Sequence, residues 1–416
     1  GYGQQILNKR TGSLIARLDW NINARHNLSL RYNFLDARKD EFASSATLLR
    51  FNGEGYTSIA DTHSLVAELN SRVSDKVFNE FRVGYTRVHD GRDAMSGAKF
   101  PYVEILKMRD GDNTSVYIGT DPFAIMNDLV QNTVTITDNF SYYADSHTIT
   151  IGTHNEIFNS SCLYMANALG AYTYTTLDDF LHDRARKYVR NYPIGDPATN
   201  ITSAQFGVYI QDEWNASPRF SMTYGLRADI PVMFDTPVAN ETFNSGYFAK
   251  HGTMTGDIPR AQILISPRVG IEWFNDDGTW NLHGSAGIYT GRIPFVWLSN
   301  CYQNTGLRSV GVTVTNPAET PAFNLNPESV GIASNPSIDL VDSNFRYPQV
   351  FRVAAGATYN YSGLKLSLDA DYTKGLNNIF VENLVAEDNG KRLFLGGEES
   401  HTSATYYDAV TKDYAA

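Results

Sequence analysis

Long apolar runs are absent from this sequence of 416 residues. No stretch approaches the roughly 18 consecutive apolar residues of a membrane-spanning helix, which excludes a helical membrane protein. The mean hydropathy of -0.32 leaves a membrane β-barrel open, because barrel strands alternate apolar and polar side chains and average out on such a scale. Length alone does not decide the domain count, since large barrels form single units.

Positive charge and cysteine are also scarce. The net charge of -11 argues against a nucleic-acid partner, because binding to phosphates needs a basic surface. Two cysteines, Cys162 and Cys301, are too few for a disulfide scaffold, so we expect free thiols rather than a bridge. Residues 1–10 contain neither the basic start nor the apolar core of a signal peptide, and we expect that an exported protein has been trimmed.

Enzyme signatures are missing as well. The segment 284–287, GSAG, has the wrong spacing for a G-x-S-x-G nucleophile turn, and no HExxH, Walker or GxGxxG motif occurs. We therefore expect neither catalysis nor a cofactor. One acidic cluster in a long loop could bind a divalent cation, although acidic loop tips are usually only solvated. The cluster consists of Asp178, Asp179, His182 and Asp183.

The dominant pattern is an alternation of apolar and polar residues with a period of two, which is typical of β-strands. It recurs in pairs of segments separated by short turns at 23–25, 74–76, 144–146, 215–218, 275–278 and 362–363. The apolar face of the first pair consists of Leu14, Ala16, Leu18, Trp20, Ile22, Leu28, Leu30, Tyr32 and Phe34. Interleaved polar residues include Arg17, Asp19 and Arg31. The sequence predicts roughly twelve antiparallel strands of about ten residues each.

The connections between the hairpins are long, and they cover 36–62, 89–130, 158–202, 231–265 and 291–349. Soluble domains rarely contain so many long loops, whereas outer-membrane barrels join short periplasmic turns to long extracellular loops. We therefore predict an all-β, antiparallel transmembrane barrel. Four tryptophans next to the short turns are predicted to form its periplasmic aromatic girdle, namely Trp20, Trp214, Trp273 and Trp280. A soluble β-sandwich or propeller remains the alternative, because alternation does not say which face meets lipid.

Several segments resemble the TonB-dependent receptors of Bacteroidetes that are related to Oar. They are HTITIGTHNEIFN from His147, FGVYIQDEWNASPRFSMTYGLRADIP from Phe206, ISPRVGIEWF from Ile265 and GSAGIYTGRIPFVWLSNCYQNTG from Gly284. The resemblance covers nearly the whole chain. It implies a full protein with an N-terminal regulatory-like domain, a plug and a barrel of about 22 strands.

On this resemblance, residues 1–416 are a partial barrel domain that lacks the plug and the TonB box. The implied function is import of a scarce or bulky nutrient, such as a siderophore, a peptide or a glycan, across a Gram-negative outer membrane. The implied partners are outer-membrane lipid, the nutrient, and the TonB complex acting through the missing plug. Two alternatives stay open, which are a barrel for protein export or adhesion and a soluble carbohydrate-binding protein.

Substrate contacts are expected in the long loops, because barrel strands hold position while loops vary. The candidates are Tyr164, Tyr172, Tyr174, Tyr188, Tyr192, Arg292 and Trp297. The tyrosines could stack on a sugar, peptide or chelate, or they could pack the loops together. The segment 291–297 could bind ligand or fold inward. Polar residues of the inner face are expected mainly to pair with one another or with a plug.

Overall fold

The computed structural model is almost entirely β-structure. It describes residues 6–95, 97, 99–108, 111–246, 252–325, 337–384, 386–395, 398–408 and 413–415. The strands are β1 (Lys9–Asn23), β2 (His26–Glu41), β3 (Leu48–Arg50), β4 (Tyr56–Arg72), β5 (Val77–Ala94), β6 (Tyr102–Lys107), β7 (Ser115–Ile118), β8 (Asn127–Ala144), β9 (His147–Tyr164), β10 (Ala171–Thr176), β11 (Lys187–Pro193), β12 (Thr199–Ser217), β13 (Phe220–Met233), β14 (Leu264–Phe274), β15 (Trp280–Thr290), β16 (Ser309–Val314), β17 (Gln349–Tyr361), β18 (Leu364–Asn377), β19 (Ala386–Leu395), β20 (Glu398–Asp408) and β21 (Asp413–Ala415).

Helices are few and short. They are a 3₁₀ turn (Asn52–Glu54), α1 (Leu177–Leu181), α2 (Glu241–Asn244) and α3 (Phe295–Gln303). None of the helices in the described residues is long and apolar enough to cross a membrane.

Twelve strands form one sheet in chain order, which confirms the predicted antiparallel architecture. The order is β1-β2-β4-β5-β8-β9-β12-β13-β14-β15-β17-β18, and the short turns join the pairs of strands predicted from the sequence. The strands are longer than the predicted ten residues, reaching 19 residues in β12. The reason is that backbone pairing continues beyond the apolar alternation, so that polar Thr199 still pairs with Cys162 of β9.

The two faces of this sheet differ in polarity. Leu14 and Leu18 are 55% and 62% exposed on one face, whereas the alternating Arg17 forms an ion pair with Asp19 on the other. Leu368 is 75% exposed on the apolar face, as a surface that meets lipid requires. The four predicted girdle tryptophans lie beside the short turns, and Trp214 stacks on His147. Their role at the membrane interface stays a prediction.

Strands β1 and β18 are the two edges of the sheet. Across the described residues they do not pair with each other, as expected for part of a larger barrel. Strands β19 to β21 form a separate three-stranded sheet.

Four of the long connections build a second sheet that the sequence analysis did not predict. Its order is β16-β11-β10-β6-β7-β3, and the pairs β10·β6 and β3·β7 are parallel. We call it the loop sheet. Its core contains Val103, Ile105, Val116, Tyr172, Tyr174, Tyr188, Val312 and Val314. The long loops are therefore a packed layer with a hydrophobic core of their own.

Candidate ligand-binding site

The segment that follows β15 folds back onto the polar face of the large sheet. Alternation places Phe158 on this face, because its neighbour Ile157 is exposed on the apolar one. The Phe158 ring lies 5.0 Å from that of Phe295 in α3, and Ser299 Oγ lies 3.0 Å from Thr199 Oγ1 of β12. The polar face is thus the inner wall, and α3 packs against its β9 and β12 strands.

A second hydrophobic core fixes the position of α3. It consists of Ile201, Leu264, Ile293, Leu298, Tyr302 and Tyr347. The Tyr302 hydroxyl also donates a hydrogen bond of 2.5 Å to the backbone carbonyl of Asp235. Burial raises the pKa of Tyr347 to about 12, as expected for a phenol enclosed by apolar groups. The structure shows this segment folded inward, which is one of the two alternatives that the sequence left open.

Two candidates from the sequence, Arg292 and Trp297, stay accessible on this folded segment. Arg292 forms a 3.1 Å ion pair with Glu156 of the inner wall, and its guanidinium lies 5.2 Å from the centre of the Phe158 ring. The Arg292 side chain is nevertheless 51% exposed. Trp297 of α3 is 49% exposed, whereas its neighbour Leu298 is buried. The segment therefore carries a half-exposed cation beside the inner wall and a half-exposed indole on the helix that packs against this wall.

The wall behind Arg292 is an ordered polar network. Arg227 forms a 2.7 Å ion pair with Asp229, which is only 2% exposed and accepts a second hydrogen bond from Gln205. His154 lies 3.7 Å from the Glu156 carboxylate. The pairing of Arg227 with Asp229 agrees with the expectation that polar residues of the inner face pair with one another, but the sequence did not link Glu156 to Arg292. No local pattern could do so, because the contact joins distant parts of the chain.

Three of the candidate tyrosines are in the core of the loop sheet. Tyr172, Tyr174 and Tyr188 are 0% exposed, and the Tyr172 and Tyr188 rings are 4.7 Å apart. Burial raises the pKa of Tyr188 to about 12. This corrects the expectation that they stack on substrate, because in this arrangement their rings have no surface to offer. They pack the loops together, which was the other reading of the pattern.

The two remaining tyrosines differ from these. Tyr192 is half-buried against the same core, with the Arg190 guanidinium 5.8 Å from its ring centre. Tyr164, at the end of β9, is 46% exposed. The structure does not bring either of them to Arg292, so their contact with a ligand stays a prediction.

The side chains of the acidic loop cluster stabilise the loop that contains them. Asp179 and Thr176 cap the start of α1 reciprocally, and the Thr176 hydroxyl lowers the pKa of Asp179. Asp178 forms a 2.5 Å ion pair with Arg184, and Asp183 accepts a hydrogen bond from the buried Tyr174 hydroxyl. Within the described parts of the chain, no group of three or more potential ligands is arranged to hold a metal ion.

The two cysteines do not form a disulfide. Both Cys162 and Cys301 are free thiols, which confirms the expectation from their number. Cys301 lies on the buried side of α3, and burial raises the pKa of its thiol to about 12.

Comparison with known proteins identifies the family of the chain. Residues 2–373 match the family described as "Outer membrane beta barrel domain". The chain belongs to this family. Its large sheet is accordingly part of a β-barrel in an outer membrane, and the apolar face is the one that meets lipid. A comparison with curated proteins gave no match.

Solved structures resemble the chain in fold. The outer membrane transporter YddB from Escherichia coli shares 11% sequence identity at a TM-score of 0.55, covering 86% of this chain and 38% of its own. The copper transporter OprC shares 14% sequence identity at a TM-score of 0.49, and the match covers 88% of this chain and 45% of OprC. The ferric-catecholate import receptor Fiu from E. coli K12 shares 11% sequence identity at a TM-score of 0.47, and the match covers 97% of this chain and 55% of Fiu. The chain thus spans about half the length of these proteins or less, and at such identities the likeness shows the fold alone.

Proposed function

We propose that the chain is the barrel part of a TonB-dependent transporter, of the Oar-like type found in Bacteroidetes, that imports a scarce or bulky nutrient. Residues 1–416 then belong to one barrel domain, and the plug and the contact with TonB belong to other parts of the protein. The resemblance of the quoted segments supports this assignment. Membership of the outer-membrane barrel family and the fold shared with the transporter YddB are consistent with it. No catalytic role is proposed.

The observation that carries the proposal is the inward-folded segment with Arg292 and Trp297. Before a ligand arrives, Arg292 is held by its ion pair with Glu156, and the helix that carries Trp297 is fixed by its own hydrophobic core. A cation and a helix that are already held in place lower the entropy cost of binding. We infer that a ligand that enters between the loops contacts Arg292 and Trp297 on its way through the barrel.

Growth of a deletion strain on defined iron, peptide and glycan sources tests the proposal. Import predicts a growth defect on one class of nutrient, which the intact gene restores and which Arg292→Ala or Trp297→Ala restores only partly. Heat-modifiable mobility of each variant in gels shows whether the barrel still assembles. Growth that is unaffected on every source, together with altered proteins at the cell surface, would favour export or adhesion instead.

A further inference from the structure

A polar patch interrupts the apolar outer face of the barrel sheet. On β8, Asp138 alternates onto the same face as Phe140, which is 47% exposed. On β9, Thr153 lies opposite Asp138 in the register and shares this face with Ile151, which is 55% exposed. Asn155 follows on the same side of β9, and Asn79 reaches the patch from β5. The outer patch is defined as Asn79, Asp138, Thr153 and Asn155.

The outer patch lies deep in the membrane. Asp138 is six residues from Ala144, where β8 ends at a short turn. With a rise of ~3.3 Å per residue and a tilt near 45°, it lies about 14 Å from the turn, close to the middle of an apolar band of about 25 Å. Ionisable groups at this depth are costly when they face lipid, and they mark places where a polar partner is bound.

Within the patch, one oxygen of the Asp138 carboxylate and one N–H of the Asn155 amide are left over, as are the amide oxygens of Asn79 and Asn155. Asn79 uses both N–H groups, donating to Asp138 Oδ1 at 2.6 Å and to the Asn139 carbonyl at 3.2 Å. Asn155 donates one N–H to Thr153 Oγ1, whose hydroxyl donates to the Gly207 carbonyl. Among the described residues, Asp138 Oδ2 and the second Asn155 N–H make no further hydrogen bond.

The surface beside the patch has a shape as well as a polarity. A groove of about 520 Å³ runs next to Asp138 and Thr153 and is lined by Ile151, Val208, Ile210 and Leu226. Exposed aromatic residues lie beside the patch, because Phe81 is opposite Asp138 and Phe206 is opposite Asn155 in the register, and each is 39% exposed. The same part of the outer face therefore carries both a groove and protruding aromatic side chains of the kind that could fill such a groove.

We propose that this face is an interface between two copies of the protein in the outer membrane. A twofold axis through the patch brings Asp138 of each copy to Asn155 of the other, so that the spare N–H of each Asn155 donates to the Asp138 carboxylate of the other copy. Lipid chains supply no donor at this depth. A partner that carries only a cation would meet Asp138 but leave the Asn155 N–H without an acceptor, and hence the second copy fits better.

Cysteine crosslinking in cells tests the interface. In the full-length protein with Cys162→Ser and Cys301→Ser, Val208→Cys places one thiol in the groove. Val353→Cys is the matched control, because it lies on the same face of β17 at a similar distance from its turn. A short bis-maleimide reagent is expected to yield a covalent dimer of this protein with Val208→Cys and none above background with Val353→Cys.

Variants of Asp138 distinguish a specific contact between two copies from crosslinking by random collisions in the membrane. Asp138→Leu is expected to lower the crosslinked fraction about tenfold, the effect of losing two membrane-embedded hydrogen bonds, whereas Asp138→Asn keeps an acceptor and retains most of it. Heat-modifiable mobility confirms folding, which an apolar residue on the lipid face should not impair. The interface is ruled out by equal crosslinking at both positions, by no dimer, by adducts only with a protein of another mass, or by an unchanged Asp138→Leu yield.

Discussion

The guanidinium of Arg292 lies 3.1 Å from the Glu156 carboxylate, which joins the segment after β15 to the inner wall of the barrel. Only half of the Arg292 side chain is covered by this contact, so the same cation that anchors the segment remains open to the interior. Glu156 is 15% exposed and is the less accessible partner. The ion pair therefore holds the segment against the inner wall and leaves half of the Arg292 side chain exposed for contact with a ligand.

Removing the cation should separate ligand binding from barrel assembly. Arg292→Ala is expected to weaken uptake of the nutrient about 10- to 100-fold in apparent affinity, the range of a charge-assisted hydrogen bond. The measurement is whole-cell uptake or growth at limiting nutrient. Arg352→Ala is the control, because Arg352 is also exposed on the inner face but belongs to β17. Equal losses for both variants would argue against a specific site at Arg292.

The twelve barrel strands could be predicted because their signal is local. Alternation over Leu14 to Ile22 fixes both the strand and its two faces without knowledge of any partner. The loop sheet was missed because its pairing is distant, as when Tyr172 pairs with Val103 of another connection. Alternation at Tyr172 and Tyr174 was visible, but whether such rings are buried depends on which segment covers them. The partner of Arg292 was hidden for the same reason.

The hydroxyl groups of the buried tyrosines should differ in their effect on the loop sheet. Tyr188 Oη is buried without a hydrogen-bond partner, so Tyr188→Phe should be neutral or stabilising. Tyr172 donates to the Ala322 carbonyl at 3.3 Å, and Tyr172→Phe should cost about 1 kcal/mol. Tyr172→Ala, which leaves a cavity, should cost about 3–5 kcal/mol. Hydrogen exchange in the loop strands measures these opening free energies, and the reverse order of the two Phe variants would contradict the assignment.

The loop sheet should become less stable as pH rises toward neutrality. Glu54 is 3% exposed, and burial raises its pKa from 4.5 to about 7 although Arg50 lies nearby. Since the folded state holds this proton more tightly than the open state, stability is highest below pH 4.5 and falls by roughly 3 kcal/mol by the time pH passes 7. Burial raises the pKa of Asp121 as well, which adds to the effect with the same sign.

Glu54→Gln tests this origin of the pH dependence, because a neutral amide cannot release a proton. Protease cleavage of the loops in folded barrels should rise between pH 5 and pH 8 in the wild type and rise clearly less in the variant, where only the contribution of Asp121 remains. Glu241→Gln, at an exposed position in α2, serves as the control and should keep the wild-type dependence. A Glu54→Gln profile identical to that of the wild type would assign the effect to other groups.

The assignment of the two faces can be tested at adjacent residues of β4. Leu65 is 50% exposed on the apolar face, whereas the Ser64 hydroxyl meets Thr86 on the opposite face. Leu65 is also several residues from the short turn that follows β4, which places it well inside the apolar band. Leu65→Arg should therefore cost about 2–4 kcal/mol, because the guanidinium enters hydrocarbon. Ser64→Arg places the same charge toward the interior, where water and other polar groups surround it, and should cost much less. Refolding from urea into lipid vesicles measures both free energies, and a larger loss for Ser64→Arg would mean that the lipid-facing side of the sheet is the polar one.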